Sequence, residues 1–195
     1  MKGIAKKLID ITALIFVFPL LLIYWIGSAV IEKNSLFMSA SQLLSLLPGK
    51  TGSYIRKSFF RHSITDCHSN CVIGFGSLFS QIDTEIGEGV YIGPQCNIGK
   101  CKIEKNCLIG SGVHILSGSS QHCFNDLATP IQQQEGYFKK VTIGEDSWIG
   151  NGALIMANIG KQCIVGTGSV VTKDIEDYSI VAGNPAKLIS KRNSA

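Results

Sequence analysis

The chain of 195 residues has little charge and little proline. Asp, Glu, Lys and Arg make up 16% of it, and five residues are proline. A disordered chain would be charged and poor in aliphatic residues, whereas 45% of this one is hydrophobic, so intrinsic disorder is excluded. The few prolines and the lack of a Gly-X-Y period exclude collagen. The net charge of +4 comes from dispersed basic residues without a recognition motif, which argues against a nucleic-acid partner.

Much of the hydrophobicity lies in one run of 21 residues without a charged side chain, Ile11 to Ile31. As a helix, this run is about 30 Å long, enough to cross the hydrocarbon core of a bilayer. Tyr24 and Trp25 are of the type that anchors helices at a membrane interface. We therefore predict that residues 1–35 form a membrane-inserted helix. A cleaved signal peptide and a buried core helix are the alternatives.

The orientation of this helix does not follow from the sequence. Pro19 lies in the middle of the run and lacks an N–H, so it predicts a break or a kink. Lysines precede the run and basic residues also follow it, so the flanking charge does not select a side. Both a single span and a kinked, one-sided insertion stay open. Residues 36–64 are predicted to be an interfacial and connecting segment, in which the short apolar stretch Leu36–Leu47, ended by Pro48, forms an interfacial amphipathic helix.

The rest of the chain repeats about every six residues. A large apolar anchor marks each repeat, and glycine follows nine of the fifteen anchors. The anchors are Cys67, Ile73, Phe79, Ile86, Ile92, Ile98, Ile103, Ile109, Ile115, Ile143, Ile149, Ile155, Ile159, Val165 and Val171. An internal repeat this short is typical of a solenoid of stacked coils. With three short faces in each coil, fifteen anchors predict about five coils.

The cysteines follow the same repeat. The residue two before each anchor is usually small or β-branched, and residues two apart on a strand share a face, so both should point inward. Five cysteines occupy this small inward position and Cys67 is an anchor; the five are Cys71, Cys96, Cys101, Cys107 and Cys163. They lack the spacing of zinc ligands, and free cysteine packs as a small hydrophobe. We predict that these six are reduced core residues, which suits a domain facing the cytosol.

This pattern resembles that of the hexapeptide-repeat acyltransferases over about residues 67–192. The most specific part is VTIGEDSWIGNGALIMANIGKQCIVGTGSVVTKDIEDYSIVAGNPAKLI, residues 141–189, which is similar to the C-terminal half of sugar and antibiotic O-acetyltransferases. With the segment LLSLLPGKTGSYIRK before the repeat, the chain looks like the membrane-associated branch of the family near colanic-acid and O-antigen acetyltransferases. One departure is the corner Met156–Ile159, which is two residues shorter than is usual in the family.

The resemblance implies an all-β fold, a left-handed parallel β-helix over residues 65–175, with a C-terminal tail at 176–195. It also implies a homotrimer with active sites between subunits and acetyl-CoA as the donor. By matching position, the residues expected to bind the donor are Trp148, Asn151, Gly152, Thr167, Gly168, Thr172, Lys173 and Lys187. No metal is expected.

The chemistry is expected in residues 117–140, where the repeat stops, because an excursion from a regular solenoid is a usual place for function. The resemblance implies that His122 in this loop is the general base, and an imidazole suits that role because its ordinary pKa is near 6.5. His114 is a rival base. Cys123 could form an acyl intermediate, but adjacent side chains on extended backbone point apart, so direct transfer is preferred. Residues expected to bind the acceptor or orient the base are Asn125, Asp126 and Tyr137.

The sequence therefore predicts a membrane-associated O-acetyltransferase that acts on a sugar hydroxyl of a polysaccharide or lipid-linked glycan precursor. Because acetyl-CoA is cytosolic, the β-helix is expected on the cytoplasmic side of the inner membrane. Two alternatives stay open. One is a non-catalytic β-helix that binds or scaffolds. The other is a zinc enzyme like the γ-class carbonic anhydrases, although the eight-residue separation of His114 and His122 does not suit its ligand set.

Overall fold

The computed structural model describes residues 2–192, in which three helices precede a parallel β-helix. The helices are α1 (Lys2–Gly27), α2 (Lys33–Ser45) and α3 (Gly49–Phe60). Helix α1 continues through Pro19, which therefore does not end it. The Glu32 carboxylate caps α2 by accepting from the backbone N–H groups of Asn34 and Ser35, and these bonds lower the pKa of Glu32. Helix α3 has no counterpart among the sequence predictions, which assigned its residues to a connecting segment.

The β-helix has three faces of short parallel strands. Face A contains β1 (Asp66–Cys67), β4 (Glu85–Ile86), β7 (Cys101–Ile103) and β10 (Val141–Ile143). Face B contains β2 (Val72–Ile73), β5 (Tyr91–Ile92), β8 (Leu108–Ile109), β11 (Trp148–Ile149), β13 (Ile164–Val165) and β15 (Ser179–Ala182). Face C contains β3 (Leu78–Phe79), β6 (Asn97–Ile98), β9 (His114–Ile115), β12 (Leu154–Ile155) and β14 (Val170–Val171). The predicted left-handed β-helix is confirmed.

The β-helix is longer than the five predicted turns. Face A continues through single bridges at Ile159 and Ile175, and β15 then begins a sixth turn. Strand β16 (Lys187–Lys191) pairs with β15 in the antiparallel direction and ends the solenoid. Residues 176–195 were expected to be a tail. Instead, Ser179 and Val181 are both buried, and they continue the pattern of a small inward residue two positions before a large one. Val171, Ile175 and Val181 have the same spacings as Ile155, Ile159 and Val165 one turn earlier, so the repeat continues in the sequence and the prediction ended it one turn too early.

The inward positions of the repeat are confirmed. All fifteen anchors are buried, and so are the six cysteines predicted to be in the core. Glycine at the corner after face B allows the turns to stack closely: a Cβ on Gly93 would lie 2.7 Å from the backbone nitrogen of Ser111 in the next turn. Thr65 and Ala157 are exceptions to the buried small positions, one at the start of the first turn and one in the shortened corner.

Helices α2 and α3 cover the first turn of the β-helix, and we call residues 33–60 the helical cap. Serine hydroxyls on both helices accept hydrogen bonds from backbone N–H groups of that turn: Ser41 from Phe79 at 2.9 Å and Ser53 from Ile73 at 3.2 Å. The side chain of Asn34 accepts from Ile82 at 2.9 Å. Phe37, Phe59, Phe60 and Phe79 pack together and extend the core of the β-helix into the cap.

Two basic side chains of α3 are buried at this junction. The Arg56 guanidinium is fully buried and donates to the carbonyl oxygens of Ile73 (3.0 Å), Leu44 (3.2 Å) and Leu47 (2.6 Å). It therefore ties the end of α2 to β2. Lys57 donates to the Ser69 carbonyl at 3.0 Å and forms an ion pair with Asp10 of α1, with 3.0 Å between Nζ and Oδ1.

Helix α1 lies against the helical cap along one stripe and leaves its other side uncovered. Ala13, Val17, Leu21 and Tyr24 are buried. The exposed large apolar residues of α1 are Leu8, Ile9, Ile11, Ile15, Phe16, Phe18, Leu22, Ile23, Trp25 and Ile26. Within residues 2–192, Lys6–Gly27 is the one helix whose length and mean hydropathy (2.3) are sufficient to cross a membrane. An uncovered apolar surface of this size indicates contact with a membrane or another protein.

Candidate active site

The loop of residues 117–140 leaves the β-helix between β9 and β10, at the edge where face C meets face A. Its two arms are joined by backbone hydrogen bonds from Lys139 to Ser117 (2.9 Å), Tyr137 to Ser120 (2.8 Å) and Cys123 to Glu135 (3.2 Å). We call these paired arms, residues 117–123 and 135–139, the stem. The interruption of the repeat is thus an ordered projection.

The stem is fixed at its base by charge. Lys140 follows the return arm and pairs with Glu85 at 2.7 Å and with Asp83. The hydrogen bond from Lys140 lowers the pKa of Asp83, and a second lysine, Lys100, pairs with Asp83 at 3.1 Å. These contacts join the end of the loop to the second turn of the β-helix.

His122 lies on the outgoing arm of the stem, and its side chain is exposed. Gly136 lies across from it on the return arm. A Cβ on Gly136 would overlap the carbonyl oxygen of Gln121 and would lie 2.9 Å from the backbone nitrogen of His122. The two arms approach this closely because residue 136 has no side chain. Sequence reasoning did not single out Gly136; its signal was a lone glycine on the return arm of a loop.

The tip of the loop is closed by Asp126. Its carboxylate accepts hydrogen bonds from the Thr129 hydroxyl (2.6 Å) and the Ala128 N–H (2.9 Å), and these bonds lower its pKa. The Gln134 amide donates to the carbonyl oxygens of Asp126 and Thr129, both at 2.8 Å. Both carboxylate oxygens of Asp126 are thus engaged inside the tip. The neighbouring Asn125 is exposed.

A polar pocket of about 240 Å³ lies under the stem. It brings together three predicted site residues, namely Tyr137 of the loop with Thr172 and Lys173 of the fifth turn. Ser119, Ser120, Lys139, Asn158 and Asp174 also line it. The pocket therefore joins the loop to the β-helix next to the shortened corner Met156–Ile159.

Asn158 completes that shortened corner. Its side-chain oxygen accepts from the Thr142 N–H at 2.9 Å. Its own backbone N–H and side-chain amide donate to the two carboxylate oxygens of Asp174, at 2.8 and 3.1 Å. These hydrogen bonds connect the equivalent corners of three successive turns, at Thr142, Asn158 and Asp174. The corner is therefore well bonded although it is two residues shorter than is usual in the family.

A second group of predicted residues lies at a different edge, where face B meets face C. Asn151 accepts a hydrogen bond from the Ser111 N–H at 3.0 Å and Thr167 is exposed in the next turn. Gly152 and Gly168 have φ of +67° and +69°, and nothing lies within 4 Å of where a Cβ would be. Trp148 is close to this edge on face B and is 49% exposed. Glycine thus leaves the backbone here open to a ligand.

The two edges are separated within one chain by the width of face C, roughly 16 Å for five residues of extended backbone. The stem and Tyr137 lie at one edge, and Asn151, Gly152 and Gly168 lie at the other. Lys187 is exposed and begins β16 beside Ala182. Within one chain, Thr172 and Lys173 therefore lie beside the stem, whereas Trp148, Asn151, Gly152, Thr167 and Gly168 do not reach it.

The outer surface of face B is an apolar column. Successive turns place Val72, Tyr91, Leu108, Trp148, Ile164 and Ile180 in register. The first four are between 41% and 49% exposed. Face A differs, because Asp66, Glu85 and Lys102 are in register on its outer surface. One face of the β-helix thus has the composition of a contact surface.

The other histidines are distributed over the fold. His114 is exposed on face C, in register with Asn97 and Leu154. The carbonyl of His62 accepts from the Trp25 indole at 3.4 Å, and the His68 ring accepts from the Asn70 N–H at 3.1 Å. Across the described part of the chain, no three His, Cys, Asp or Glu side chains come together as possible metal ligands.

Comparison with known proteins identifies the repeat on both sides of the loop. Residues 83–117 match the model "Bacterial transferase hexapeptide (six repeats)", and residues 140–173 match "Hexapeptide repeat of succinyl-transferase". The galactoside O-acetyltransferase of Lactococcus lactis is 31% identical over 146 residues, covering 60% of this chain and 68% of that protein. The chain belongs to the hexapeptide-repeat acetyltransferase family.

Other relatives match a smaller part of the chain, and one solved structure is similar in fold alone. A chloramphenicol acetyltransferase from Klebsiella aerogenes is 37% identical over 112 residues, which are 49% of this chain and 53% of that protein. The chain thus spans about half the length of the chloramphenicol acetyltransferases it matches. A galactoside acetyltransferase solved in complex with coenzyme A has the same fold, with a TM-score of 0.65, 21% identity and 84% of each chain covered.

Proposed function

We propose that the protein is an acetyl-CoA-dependent O-acetyltransferase whose acceptor is a sugar hydroxyl of a polysaccharide or lipid-linked glycan precursor. The observation that carries the proposal is the stem, an ordered projection that carries the exposed His122 and whose residues Ser119, Ser120 and Tyr137 line a polar pocket. The two family matches end at residue 117 and resume at residue 140, so the repeat is of the family type on both sides of this loop.

His122 is the proposed general base. Its imidazole accepts the proton of the acceptor hydroxyl as the oxygen attacks the thioester carbonyl, and the coenzyme A thiolate leaves. The exposure of the ring allows an acceptor to reach it. Tyr137 and Asn125 are proposed to bind the acceptor. Asp126 contributes by closing the tip, because both its carboxylate oxygens are used there.

The donor is proposed to lie along the edge between faces B and C. The open backbone at Gly152 and Gly168 suits the close approach of an extended ligand, and Trp148 and Asn151 flank it. Thr167 is exposed beside Gly168. Thr172, Lys173 and Lys187 are the remaining proposed donor residues, and the two lysines would attract the phosphates of coenzyme A.

A homotrimer is proposed because one chain does not complete this site. The stem of one subunit would meet the open edge of a neighbour, which brings His122 to the donor. The apolar column on face B supports an assembly, because Leu108 and its neighbours would otherwise remain exposed to water.

Attachment to the inner membrane is proposed through the uncovered side of α1, with the β-helix on the cytoplasmic side where acetyl-CoA is available. Of the two topologies, the packing favours the one-sided insertion. Val17, Leu21 and Tyr24 lie against the helical cap, and Lys57 of α3 pairs with Asp10 of α1. A helix held along the cap in this way would lie in the interface with its other side toward lipid.

The test is acetyl transfer by the purified full-length chain, followed by mass spectrometry with a panel of acceptors. Galactosides and chloramphenicol belong in the panel because they are named for relatives, and glycan-precursor sugars represent the proposed class. We expect transfer to a sugar hydroxyl and a loss of at least 100-fold in kcat for His122→Ala. His114→Ala and Cys123→Ala are the controls and should retain turnover.

Three results would contradict the proposal. No binding of acetyl-CoA at millimolar concentration would favour a scaffold instead of an enzyme. Loss of turnover in Cys123→Ala with only a modest effect of His122→Ala would replace direct transfer by an acyl-cysteine. Protection of the stem from protease in inverted membrane vesicles would contradict a cytoplasmic β-helix.

A further inference from the structure

An apolar groove of about 810 Å³ runs between α1 and α3, far along the chain from the proposed active site. Leu8, Ile9 and Phe16 line it from α1, and Tyr54 and Ile55 line it from α3. Its volume lies in the range of about 300–1,000 Å³ that is usual for small-molecule sites. The groove is continuous with the uncovered side of α1, since Leu8 and Phe16 are 60% and 65% exposed.

The groove is basic at one end. Lys50 and Tyr54 line the groove and also an adjoining pocket of about 530 Å³, which adds Lys6 and Lys57. Lys6 donates to the neutral side chain of Asn70 at 3.0 Å, a contact that adds no opposing charge. Among the described residues, no Asp or Glu lines either the groove or the pocket.

Asp10, the acidic residue of α1, is already paired. Asp10 forms an ion pair with Lys57, and the side chains of the two are only 21% and 4% exposed. The charge that Lys57 brings to the pocket is therefore offset by Asp10. Lys6 and Lys50 remain as the net positive charge at the mouth of an apolar groove.

We propose that this groove binds one molecule of an anionic phospholipid. Its acyl chain lies between α1 and α3, and its phosphate lies between Lys6 and Lys50. An apolar lining alone would accept any hydrocarbon, but two lysines at one end select an amphiphile with an anionic head. The inference rests on the proposed membrane association, and it adds a specific lipid site to it.

The test is native mass spectrometry of the full-length chain in a neutral detergent, titrated with phosphatidylglycerol or phosphatidylcholine. We expect one phosphatidylglycerol per chain, bound at least tenfold more tightly than phosphatidylcholine. Lys50→Gln should weaken phosphatidylglycerol binding about fivefold, which corresponds to the loss of ~1 kcal/mol for one lysine at a lipid surface. Thr12 also lines the groove, and Thr12→Phe should abolish binding because the larger side chain fills it.

Two matched variants are the controls. Lys33→Gln removes an exposed lysine at the start of α2, and Ile23→Phe adds bulk on the exposed side of α1 away from the groove. Both should bind phosphatidylglycerol within twofold of the native chain. Equal binding of the two lipids, an unchanged affinity in Lys50→Gln, or a dimer whose α1 helices cover the groove would overturn the proposal. Displacement of the lipid by millimolar inorganic phosphate would also overturn it, because the site would then be one for a free anion.

Flotation with lipid vesicles separates this inference from membrane association. A chain that floats but does not prefer phosphatidylglycerol is a membrane protein without this site. A chain that does not float, yet binds soluble dihexanoyl phosphatidylglycerol in a manner that depends on Lys50, retains the site and contradicts the membrane proposal.

Discussion

Gly136 lies so close to Gln121 that a Cβ at residue 136 would overlap the Gln121 carbonyl oxygen. The atoms in the way belong to backbone, so they cannot move aside as a flexible side chain would. We therefore expect Gly136→Ala to separate the arms of the stem and to displace His122. Because a displacement of about 1 Å can cost 10²-fold in rate, kcat should fall by about that factor while the Kd of acetyl-CoA stays within threefold.

Steady-state kinetics and donor binding on the same preparation measure this split. Gln132→Ala, at the exposed tip of the same loop, is the matched control and should keep the native kcat. The thermal midpoint of Gly136→Ala should also stay near that of the native chain, because the stem lies outside the core. A native kcat in Gly136→Ala would mean that the close contact does not hold His122.

The ion pair between Asp10 and Lys57 joins α1 to the helical cap. Removing one partner of a buried pair leaves the other charge without compensation, which costs about 3–5 kcal/mol. We expect Lys57→Met to lower the free energy of unfolding by roughly this amount and to expose α1 to protease. The double variant Asp10→Asn, Lys57→Met should recover much of the loss, because no charge is then left buried.

Denaturant unfolding in detergent measures this change. Lys102 and Glu104 form a comparison pair, with 3.3 Å between Nζ and Oε1 and side chains 45% and 36% exposed. Lys102→Met should cost less than about 1 kcal/mol, as is usual for exposed pairs. If Lys57→Met and Lys102→Met lowered the free energy of unfolding equally, a structural role for the buried pair would be contradicted.

The core thiols make stability depend on alkaline pH. Burial raises the pKa of Cys101 to about 12 and that of Cys107 to about 11, from an ordinary value of 9.0. Below pH 9 both states keep the thiols protonated and their contribution to stability is complete. Between pH 9 and 11 the unfolded state ionises first, so each thiol should lower the free energy of unfolding by about 1.4 kcal/mol per pH unit.

Unfolding between pH 8 and 11 tests this contribution against Cys101→Val. Valine already fills the equivalent inward position one turn later, at Val141, which is paired with Cys101. The variant should lose stability less steeply above pH 9 than the native chain. Curves that remain parallel over this range would show that the Cys101 thiol does not contribute.

The apolar column on face B predicts how the subunits assemble. Leu108 lies in its middle and is 45% exposed. Leu108→Glu should convert the proposed trimer into monomers, because a carboxylate would have to lose its water in the contact. Light scattering coupled to size-exclusion chromatography gives the mass. Lys102→Glu on the charged face A is the control and should leave the mass unchanged; a trimer in Leu108→Glu would place the contact elsewhere.

The β-helix could be predicted because packing inside each turn restricts which residues can occupy the inward positions of the repeat. An inward anchor such as Ile98 has to be large and apolar, and the residue two before it, Cys96, has to be small. The sixth turn follows the same logic, because the spacings from Val171 through Ile175 to Val181 repeat those from Ile155 through Ile159 to Val165, but the sequence prediction ended the repeat one turn too early. Helix α3 was missed for another reason: its buried Arg56 is charged and looks like a surface residue in the sequence.

The candidate site was predictable only in part. An interrupted repeat identifies the loop, but no local pattern says that Tyr137 pairs with Ser120 or that Asp126 closes the tip. The first contact joins opposite arms of the stem and the second lies within the tip, and the lengths of these segments follow no period. Whether His122 is the base stays a prediction for kinetics to decide.

The two ends of the β-helix differ in how they are closed, and this determines how long a stack can grow. At the far end, β16 runs against the direction of β15 and cannot be followed by another parallel turn. At the near end, side chains of the helical cap, including Ser41 and Ser53, occupy the N–H groups of the first turn. A chain without the cap would offer those groups to other chains as an open strand edge, the kind that seeds aggregation. The helical cap thus keeps a one-dimensional fold from becoming a polymer.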